Sequence, residues 1–371
     1  MEIYVITLLF IFIFGFLDLR LNLTNPQRNR LLFFLYVVIV IQIGLRWETG
    51  TDWKPYLENF ETSNDYNIVL LNTLSGFEIG YGTLVFFIKK IFNNYSVFLF
   101  IHALFFYWCI FIAAKKYSPY PFIALLFFYA TNLGVVGSNR QLLAIAFCLL
   151  SLHFVLERKL FKFFVTIVIA SLFHTTAFLF GIYYFLNRNF KTVTIVSILF
   201  LSFIIGKTGL PFLFFSKFGT IFGDLAASKT LAYTDRAKDE LAEASLSIFG
   251  LIKRLSFIAI FTLNYSYLTK KLDYYKVLYN GYVFGMVIYF LFASTLLIIV
   301  NRGSMYFNIF ECFLISCQFL VFQKRLDKGY LFFILLLLSV IFLYQSISPY
   351  PDLFDPYKGL IYNFDFIRDM H

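Results

Sequence analysis

Long apolar runs separated by short polar connections occupy almost the whole chain, and this constrains its fold more than any other feature. Clear runs are Glu2–Asp18, Leu31–Leu45, Val97–Ala114, Gln141–Leu156, Val277–Val300 and Tyr330–Ile347. Shorter or interrupted runs are Pro119–Leu133, Leu160–Phe173, Thr175–Leu186, Thr192–Ile205, Leu246–Leu268 and Ser304–Phe322. Because a helix crosses a bilayer with roughly 20 apolar residues, the pattern predicts an all-α polytopic integral membrane protein with about 12 transmembrane helices. These form a single transmembrane domain over residues 1–371.

The composition excludes several other classes of protein. Hydrophobic residues make up 60% of the chain and charged residues only 14%, whereas a soluble domain has about 25% charged residues. The formal net charge is +10, but the basic residues lie in short clusters between apolar runs, so we expect no nucleic-acid partner. The sequence holds no Walker A loop, no GxGxxG, no HExxH and no cluster of metal-ligating residues. We therefore expect no cofactor and no metal.

The charges also predict how the chain threads the membrane. The first run begins beside Glu2 and is followed by Arg20, which favours a retained span with its N-terminus outside. The segment Phe77–Phe92 carries Glu78 at one end and Lys89-Lys90 at the other. We expect it to lie in the membrane interface as an interfacial helix on the outer face, without crossing.

With this threading, the inner loops carry 16 basic and four acidic residues, a net charge of +12, against −2 for the rest of the chain. This excess is the positive-inside pattern. The predicted inner loops are 18–30, 115–118, 157–162, 187–192, 269–276 and 323–329. The outer loops are then about 46–94 and 206–247, the latter with a polar, helix-like piece at Tyr233–Ala244. The C-terminal tail 348–371 is also outside.

Three arginines from distant parts of the chain fall on the predicted outer face: Arg46, Arg140 and Arg302. Ionisable groups at membrane depth are costly and mark functional sites. Arginine offers a planar, permanently charged fork that binds phosphate through two hydrogen bonds. The positive-inside rule disfavours arginine on this face. That all three arginines are nevertheless predicted to lie there indicates a site for a lipid-linked pyrophosphate.

Such a site favours transfer of a sugar from a lipid pyrophosphate. Arginine can stabilise the charge that grows on the leaving phosphate without a metal. The attacking sugar hydroxyl must lose its proton to a carboxylate or a neutral histidine, for which the candidates are Asp52, Glu78 and His174. Expected substrate-binding residues are Trp53, Tyr56, Tyr81 and Gln141, with Trp47 as a further ring that could stack on sugars.

Each of these residues also has a structural explanation. Long arginine side chains can reach lipid headgroups without binding a substrate, and an aspartate before a helix can cap it. Such explanations apply to Arg46, Arg140, Arg302, Asp52 and His174. We also expect structural roles for His102 and His153, which lie on apolar helices, for Glu311 as a buried partner of an arginine, and for Lys253-Arg254 at the start of a span.

The ordered motifs resemble a known family. They are Arg46…Gly50-Thr51-Asp52-Trp53…Tyr56, Glu78…Gly80-Tyr81, Asn139-Arg140-Gln141-Leu142-Leu143-Ala144, Phe173-His174-Thr175-Thr176-Ala177 and Asn301-Arg302-Gly303…Tyr306-Phe307. Together they look like the EpsG-type Wzy polymerases of bacterial O-antigen, capsule and exopolysaccharide, over about residues 46–311. One departure is Ile79, which occupies a position where the family often has proline.

The resemblance implies a metal-independent glycosyltransferase in the bacterial inner membrane. A growing glycan on undecaprenyl pyrophosphate would move to the non-reducing end of an incoming lipid-linked repeat unit. A chain-length regulator, a flippase and membrane lipids are the implied partners. Two other functions stay open. One is a membrane O-acyltransferase with His174 as its base, and the other is a non-enzymatic lipid-glycan flippase.

Overall fold

A computed structural model describes residues 1–21, 23–74, 76–221 and 248–361. These residues are helical almost throughout, and no β-strand occurs among them. Six of the described helices are long and apolar enough to cross a membrane. The chain is therefore a multi-pass membrane protein, as predicted, and the count of about 12 spans stays a prediction. The outer piece Tyr233–Ala244 lies outside the described residues.

The chain divides into two compact units, each described here by itself. The first unit comprises Met1–Phe178 and Ile315–His371, and the second comprises Leu179–Leu314. Helices of the first unit are α1 (Glu2–Leu21), α2 (Asn25–Gly44), α3 (Trp53–Thr62), α4 (Tyr66–Leu74), α5 (Ile79–Phe92), α6 (Tyr95–Tyr117), α7 (Pro121–Asn132), α8 (Asn139–Leu156) and α9 (Leu160–Ser171). The second unit holds α10 (Thr192–Gly206), α11 (Leu210–Ile221), α12 (Ile248–Leu263), α13 (Tyr265–Lys271), α14 (Tyr275–Phe292), α15 (Leu297–Gly303) and α16 (Met305–Asn308). Helix α17 (Phe310–Gln318) runs from the second unit into the first, which ends with α18 (Arg325–Ile347).

Several predicted runs of the second unit are broken into shorter helices. The run Leu246–Leu268 divides at Asn264, whose side-chain amide donates to the Ile260 carbonyl at 3.2 Å. The run Val277–Val300 divides into α14 and α15 after Phe292, and Ser304, at the start of the next predicted run, donates its hydroxyl to the Val300 carbonyl at 2.6 Å. Such side chains compete with the regular backbone ladder, and this explains why hydrophobicity alone overstates helix length here.

Thr175–Leu186, predicted as an apolar span, is a 3₁₀-helix that leads from the first unit into the second. Its tighter winding gives a longer rise per residue than an α-helix. Within the second unit, the hydroxyl of Tyr183 donates to the Val277 carbonyl at 2.8 Å. This contact fixes the segment against α14.

Four predicted inner loops meet at one end of the first unit. Arg325 reaches the Arg20 carbonyl at 3.4 Å, and Lys328 donates to the Tyr120 hydroxyl at 2.7 Å. Lys116 Nζ lies 2.8 Å from His153 Nδ1, beside the loop that follows α8. We call this the basic end.

The opposite end of the first unit, which we call the site end, is crossed by the C-terminal tail. The amide of Trp47 donates to the Lys358 carbonyl at 2.9 Å, and the amide of Leu360 donates to Leu45 at 3.0 Å. These bonds flank an isolated antiparallel bridge between Arg46 and Gly359. The terminal amine of Met1 also pairs with Asp355. Both the N-terminus and the described part of the tail thus lie at the site end.

Helix α5 has both of its ends at the site end. Glu78, just before its first residue, contacts α8, and Lys89 in its last turn donates to the Glu61 carbonyl of α3 at 2.5 Å. Helix α6 then starts at Tyr95, whose ring lies 6.1 Å from that of Trp47. With 14 residues, α5 is also shorter than the usual spanning helix.

Candidate functional site

Glu78 and Arg140 form an ion pair at the starts of two helices of the first unit. Arg140 Nη1 lies 2.7 Å from Glu78 Oε2 and 2.7 Å from the Gly76 carbonyl oxygen. The Glu78 side chain is 8% exposed and that of Arg140 17%. Removing one partner of a pair this far from solvent leaves a costly unpaired charge. The pair therefore fixes the start of α8 against the turn before α5.

Aromatic rings surround the Arg140 guanidinium. Its central carbon lies 4.7 Å from the ring centre of Phe77 and 5.8 Å from that of Tyr56, and Nε donates to the Tyr56 hydroxyl at 3.3 Å. Burial raises the pKa of Tyr56, although the Arg140 guanidinium opposes the shift, so the phenol stays neutral. The fully buried Tyr81 ring lies 5.5 Å from Tyr56. Two aromatic faces thus hold the cation in place.

The second oxygen of Glu78 connects the ion pair to the segment after α9. Oε1 accepts from the Thr175 amide at 3.2 Å and from its hydroxyl at 3.3 Å. The preceding residue, His174, is buried, and its Nδ1 lies 2.7 Å from the Thr176 hydroxyl. Two of the predicted catalytic residues, Glu78 and His174, are therefore neighbours at the site end.

A close backbone approach explains why residue 80 is glycine. The Gly80 amide donates to the Leu172 carbonyl at 2.9 Å. A Cβ on Gly80 would lie 2.7 Å from that same oxygen, which is closer than atoms of this kind approach. The small residue therefore lets the start of α5 dock on the end of α9, and this brings Glu78 next to Thr175.

Asp52 and Trp53 begin α3 at the site end. Asp52 is half-buried at the capping position, but its side chain makes no capping hydrogen bond. This geometry does not support the capping explanation.

Trp53 and Trp47 line a small pocket with Arg46 and Asn139. Gln141 follows Arg140 in the first turn of α8 and is buried.

Arg46 is buried, with 3% exposure, and binds protein oxygens. Its Nη1 donates to Ile43 at 2.7 Å, and its Nη2 donates to the Val136 carbonyl at 3.1 Å and to Asn139 Oδ1 at 2.9 Å. Burial lowers the pKa of Arg46, but the ordinary value is so high that the group stays charged. The guanidinium ties the end of α2 to the start of α8.

The remaining predicted residues lie in the second unit. Arg302 is partly exposed in the last turn of α15. The buried Glu311 pairs with Lys253 at 3.0 Å, so its observed partner is a lysine and not the arginine expected from the sequence. Arg254 lies over the ring of Tyr289, with its guanidinium carbon 4.1 Å from the ring centre.

Both histidines that the sequence places on apolar helices contact polar groups. His153 Nε2 lies 2.9 Å from Glu157 Oε1 at the basic end, and His102 Nε2 lies 2.9 Å from the Asn139 carbonyl oxygen. Sequence reasoning also missed Phe77 and Thr175 as contacts of the ion pair. Each directly adjoins a predicted site residue, and that adjacency was the available signal.

The comparisons with known proteins agree with the resemblance seen in the motifs. The model of the EpsG family matches residues 29–358, which include every predicted site residue. No curated protein and no solved structure matches the chain. The family match covers well over half of the sequence, and the chain therefore belongs to the EpsG family.

Proposed function

We propose that this chain polymerises lipid-linked oligosaccharide repeat units at the outer face of the bacterial inner membrane. Membership of the EpsG family supports a polysaccharide polymerase. The observation that carries the proposal is the part-buried Glu78–Arg140 pair, which unites a candidate phosphate-binding cation and a candidate base. The product is an O-antigen, capsule or exopolysaccharide.

The orientation follows from the loops of the first unit. Its basic end gathers Arg20, Lys116, Arg325 and Lys328. Lysine and arginine are enriched in cytoplasmic loops, so this end faces the cytoplasm in our proposal. The site end then faces outward together with the N-terminus and the C-terminal tail. Nucleotide sugars are absent there, and this favours a lipid-linked donor.

The transfer exchanges one bond at the anomeric carbon of the donor sugar. A hydroxyl at the non-reducing end of the incoming repeat unit forms a bond to that carbon, whose bond to the pyrophosphate oxygen breaks. Undecaprenyl pyrophosphate departs with the electron pair, and Arg140 stabilises its growing charge. The hydroxyl proton passes to Glu78, with Asp52 and His174 as the alternative bases.

The ion pair also links substrate binding to proton transfer. In the structure, Glu78 Oε2 accepts a hydrogen bond from Arg140 Nη1. A pyrophosphate that binds Arg140 competes for this donor and releases one carboxylate oxygen. Glu78 stays anchored through Thr175, so the freed oxygen remains near the reacting centre. The base thus becomes available when the donor substrate is bound.

The other predicted residues take supporting parts in this proposal. Tyr56 and Tyr81 hold the aromatic surroundings of Arg140, and Trp53 and Gln141 contact the glycan. Arg46 and Arg302 remain predicted pyrophosphate ligands, and the reaction is proposed to need no metal. A flippase that supplies repeat units and a chain-length regulator are the proposed partners.

A glycan gel of a deletion strain tests the function. We expect only single-repeat products after deletion, and long chains again after complementation with the wild-type gene. Full-length glycan that lacks an acyl group would instead indicate the O-acyltransferase. Accumulation of lipid-linked repeat units on the cytoplasmic side would indicate the flippase.

A matched pair of variants tests the site. Arg140→Ala removes the cation of the site. Arg28→Ala instead breaks the ion pair between Arg28 and Asp18 (2.8 Å), which lies near the last residue of α1 and away from the site end. At equal protein level, we expect Arg28→Ala to restore long glycan chains in the deletion strain and Arg140→Ala to give only single-repeat products. Long chains from a well-folded Arg140→Ala would refute the proposed site.

A further inference from the structure

We propose that His102 is a positioning residue for Arg140, and this inference rests on the proposed function. His102 lies on the spanning helix α6 and is 3% exposed. Its ring centre lies 6.2 Å from that of Phe98 and 6.4 Å from that of Phe106. A polar side chain inside an apolar span is costly, so it calls for a partner and a purpose.

The partner is the backbone of the residue before Arg140. His102 Nε2 lies 2.9 Å from the Asn139 carbonyl oxygen. A carbonyl oxygen only accepts hydrogen bonds, so Nε2 carries the proton and donates. In a regular α-helix, this carbonyl also accepts a hydrogen bond from the amide four residues later, that of Leu143. The bond from His102 is therefore an additional one that ties α6 to the first turn of α8.

A second contact holds the same residue from another direction. Asn139 is 1% exposed, and its Oδ1 accepts from Arg46 Nη2 at 2.9 Å. The backbone and the side chain of Asn139 are thus fixed by His102 and Arg46 respectively. Arg140 is the next residue in the chain. Its Nη1 donates to Glu78 Oε2 and to the Gly76 carbonyl oxygen, each at 2.7 Å.

This arrangement makes the first turn of α8 the fixed base for the Arg140 side chain. Catalytic groups lose rate steeply when their positions shift, by about 10²-fold for a displacement of 1 Å. A donor at residue 102 keeps the turn from rotating when the pyrophosphate pulls on Arg140. His102 itself does not touch the reacting atoms.

Two amide variants separate positioning from simple packing. The side-chain amide of glutamine can donate from nearly the position of Nε2, whereas asparagine is shorter and falls away from the Asn139 carbonyl. The full-length protein is assayed in lipid vesicles with undecaprenyl pyrophosphate-linked repeat units extracted from the deletion strain. We expect His102→Gln to keep the rate within about threefold and His102→Asn to lower kcat about tenfold or more, with KM nearly unchanged.

A double variant tests whether the effect runs through Arg140. If His102 acts only by positioning that side chain, His102→Asn should cost much less in an Arg140→Lys background than in the wild type. Equal rates for both amide variants, or full additivity with Arg140→Lys, would overturn the proposal. Loss of folding in both amide variants, measured by thermal unfolding, would assign His102 to stability alone and overturn it too.

The two proposals fail in different ways. If Arg140→Ala still polymerises, the proposed site is wrong and His102 has nothing to position. If Arg140→Ala is inactive while both His102 variants match the wild type, only the positioning role is wrong.

Discussion

Glu78 and Arg140 lie 62 residues apart in the sequence, yet their side chains meet at 2.7 Å. The contact joins the turn before α5 to the start of α8. Because Glu78 also accepts two hydrogen bonds from Thr175, a single carboxylate connects three segments of the first unit. Its place in the structure and its proposed place in the reaction can be separated by experiment.

Exchanging the two charges should keep the protein folded but abolish polymerisation. The double variant Glu78→Arg with Arg140→Glu retains an opposite-charge pair, so it should be more stable than either single variant. It places the cation and the carboxylate on the wrong segments for the reaction. Thermal unfolding and glycan gels measure the two effects. Long chains from the double variant would show that the pair is structural only.

Tyr56→Phe should weaken polymerisation without stopping it. The change removes the hydroxyl 3.3 Å from Arg140 Nε but keeps the aromatic ring. A net hydrogen bond is worth about 0.5–1.5 kcal/mol, so we expect a rate lower by roughly twofold to tenfold. Tyr66→Phe is the control, because its hydroxyl bonds Thr83 at an exposed position. An unchanged rate for Tyr56→Phe would remove that hydroxyl from the mechanism.

Gly80→Ala should destabilise the protein and reduce activity. Its new methyl group would lie 2.7 Å from the Leu172 oxygen, and crowding of this kind costs about 1–3 kcal/mol. Gly209→Ala is the matched control, since a Cβ there meets nothing within 4 Å. Thermal unfolding in detergent compares the two variants. Equal stability would mean that α5 and α9 can move apart at little cost.

Arg302→Ala tests the one predicted pyrophosphate ligand that lies in the second unit. If the residue binds a phosphate, we expect short glycan chains and a raised KM for the lipid-linked donor. Arg188→Ala removes an arginine from an exposed position in a predicted inner loop and should leave the chains long. Equal behaviour of the two variants would contradict a role for Arg302 in binding.

Much of the first unit could be predicted from hydrophobicity because its spans are strongly apolar and flanked by charges. The runs at Val97–Ala114 and Gln141–Leu156 correspond closely to α6 and α8. The helices of the second unit were harder to predict, because residues such as Asn264 interrupt an apolar run by bonding to the backbone. Hydropathy counts such residues as mildly polar and does not register that effect.

The candidate site shows a similar limit. Sequence order identified Glu78, Arg140 and His174 as site residues, but it could not say that Glu78 would pair with Arg140 and bond to Thr175. The expectation for Arg46 rested on its charge, its predicted place on the outer face and its motif, whereas its guanidinium donates hydrogen bonds to the oxygens of Ile43, Val136 and Asn139. Which donors meet which acceptors depends on helix packing that local patterns do not encode.

The first unit is discontinuous in sequence, since the second unit separates its two parts. A ribosome therefore completes the whole insert before it makes the strip around Gly359 that pairs with Arg46. Until then, the backbone of Arg46 has no partner from the C-terminal tail. The backbone bridge at the site end can therefore form only after the whole second unit has been synthesised, and a chain truncated before Gly359 should lack it.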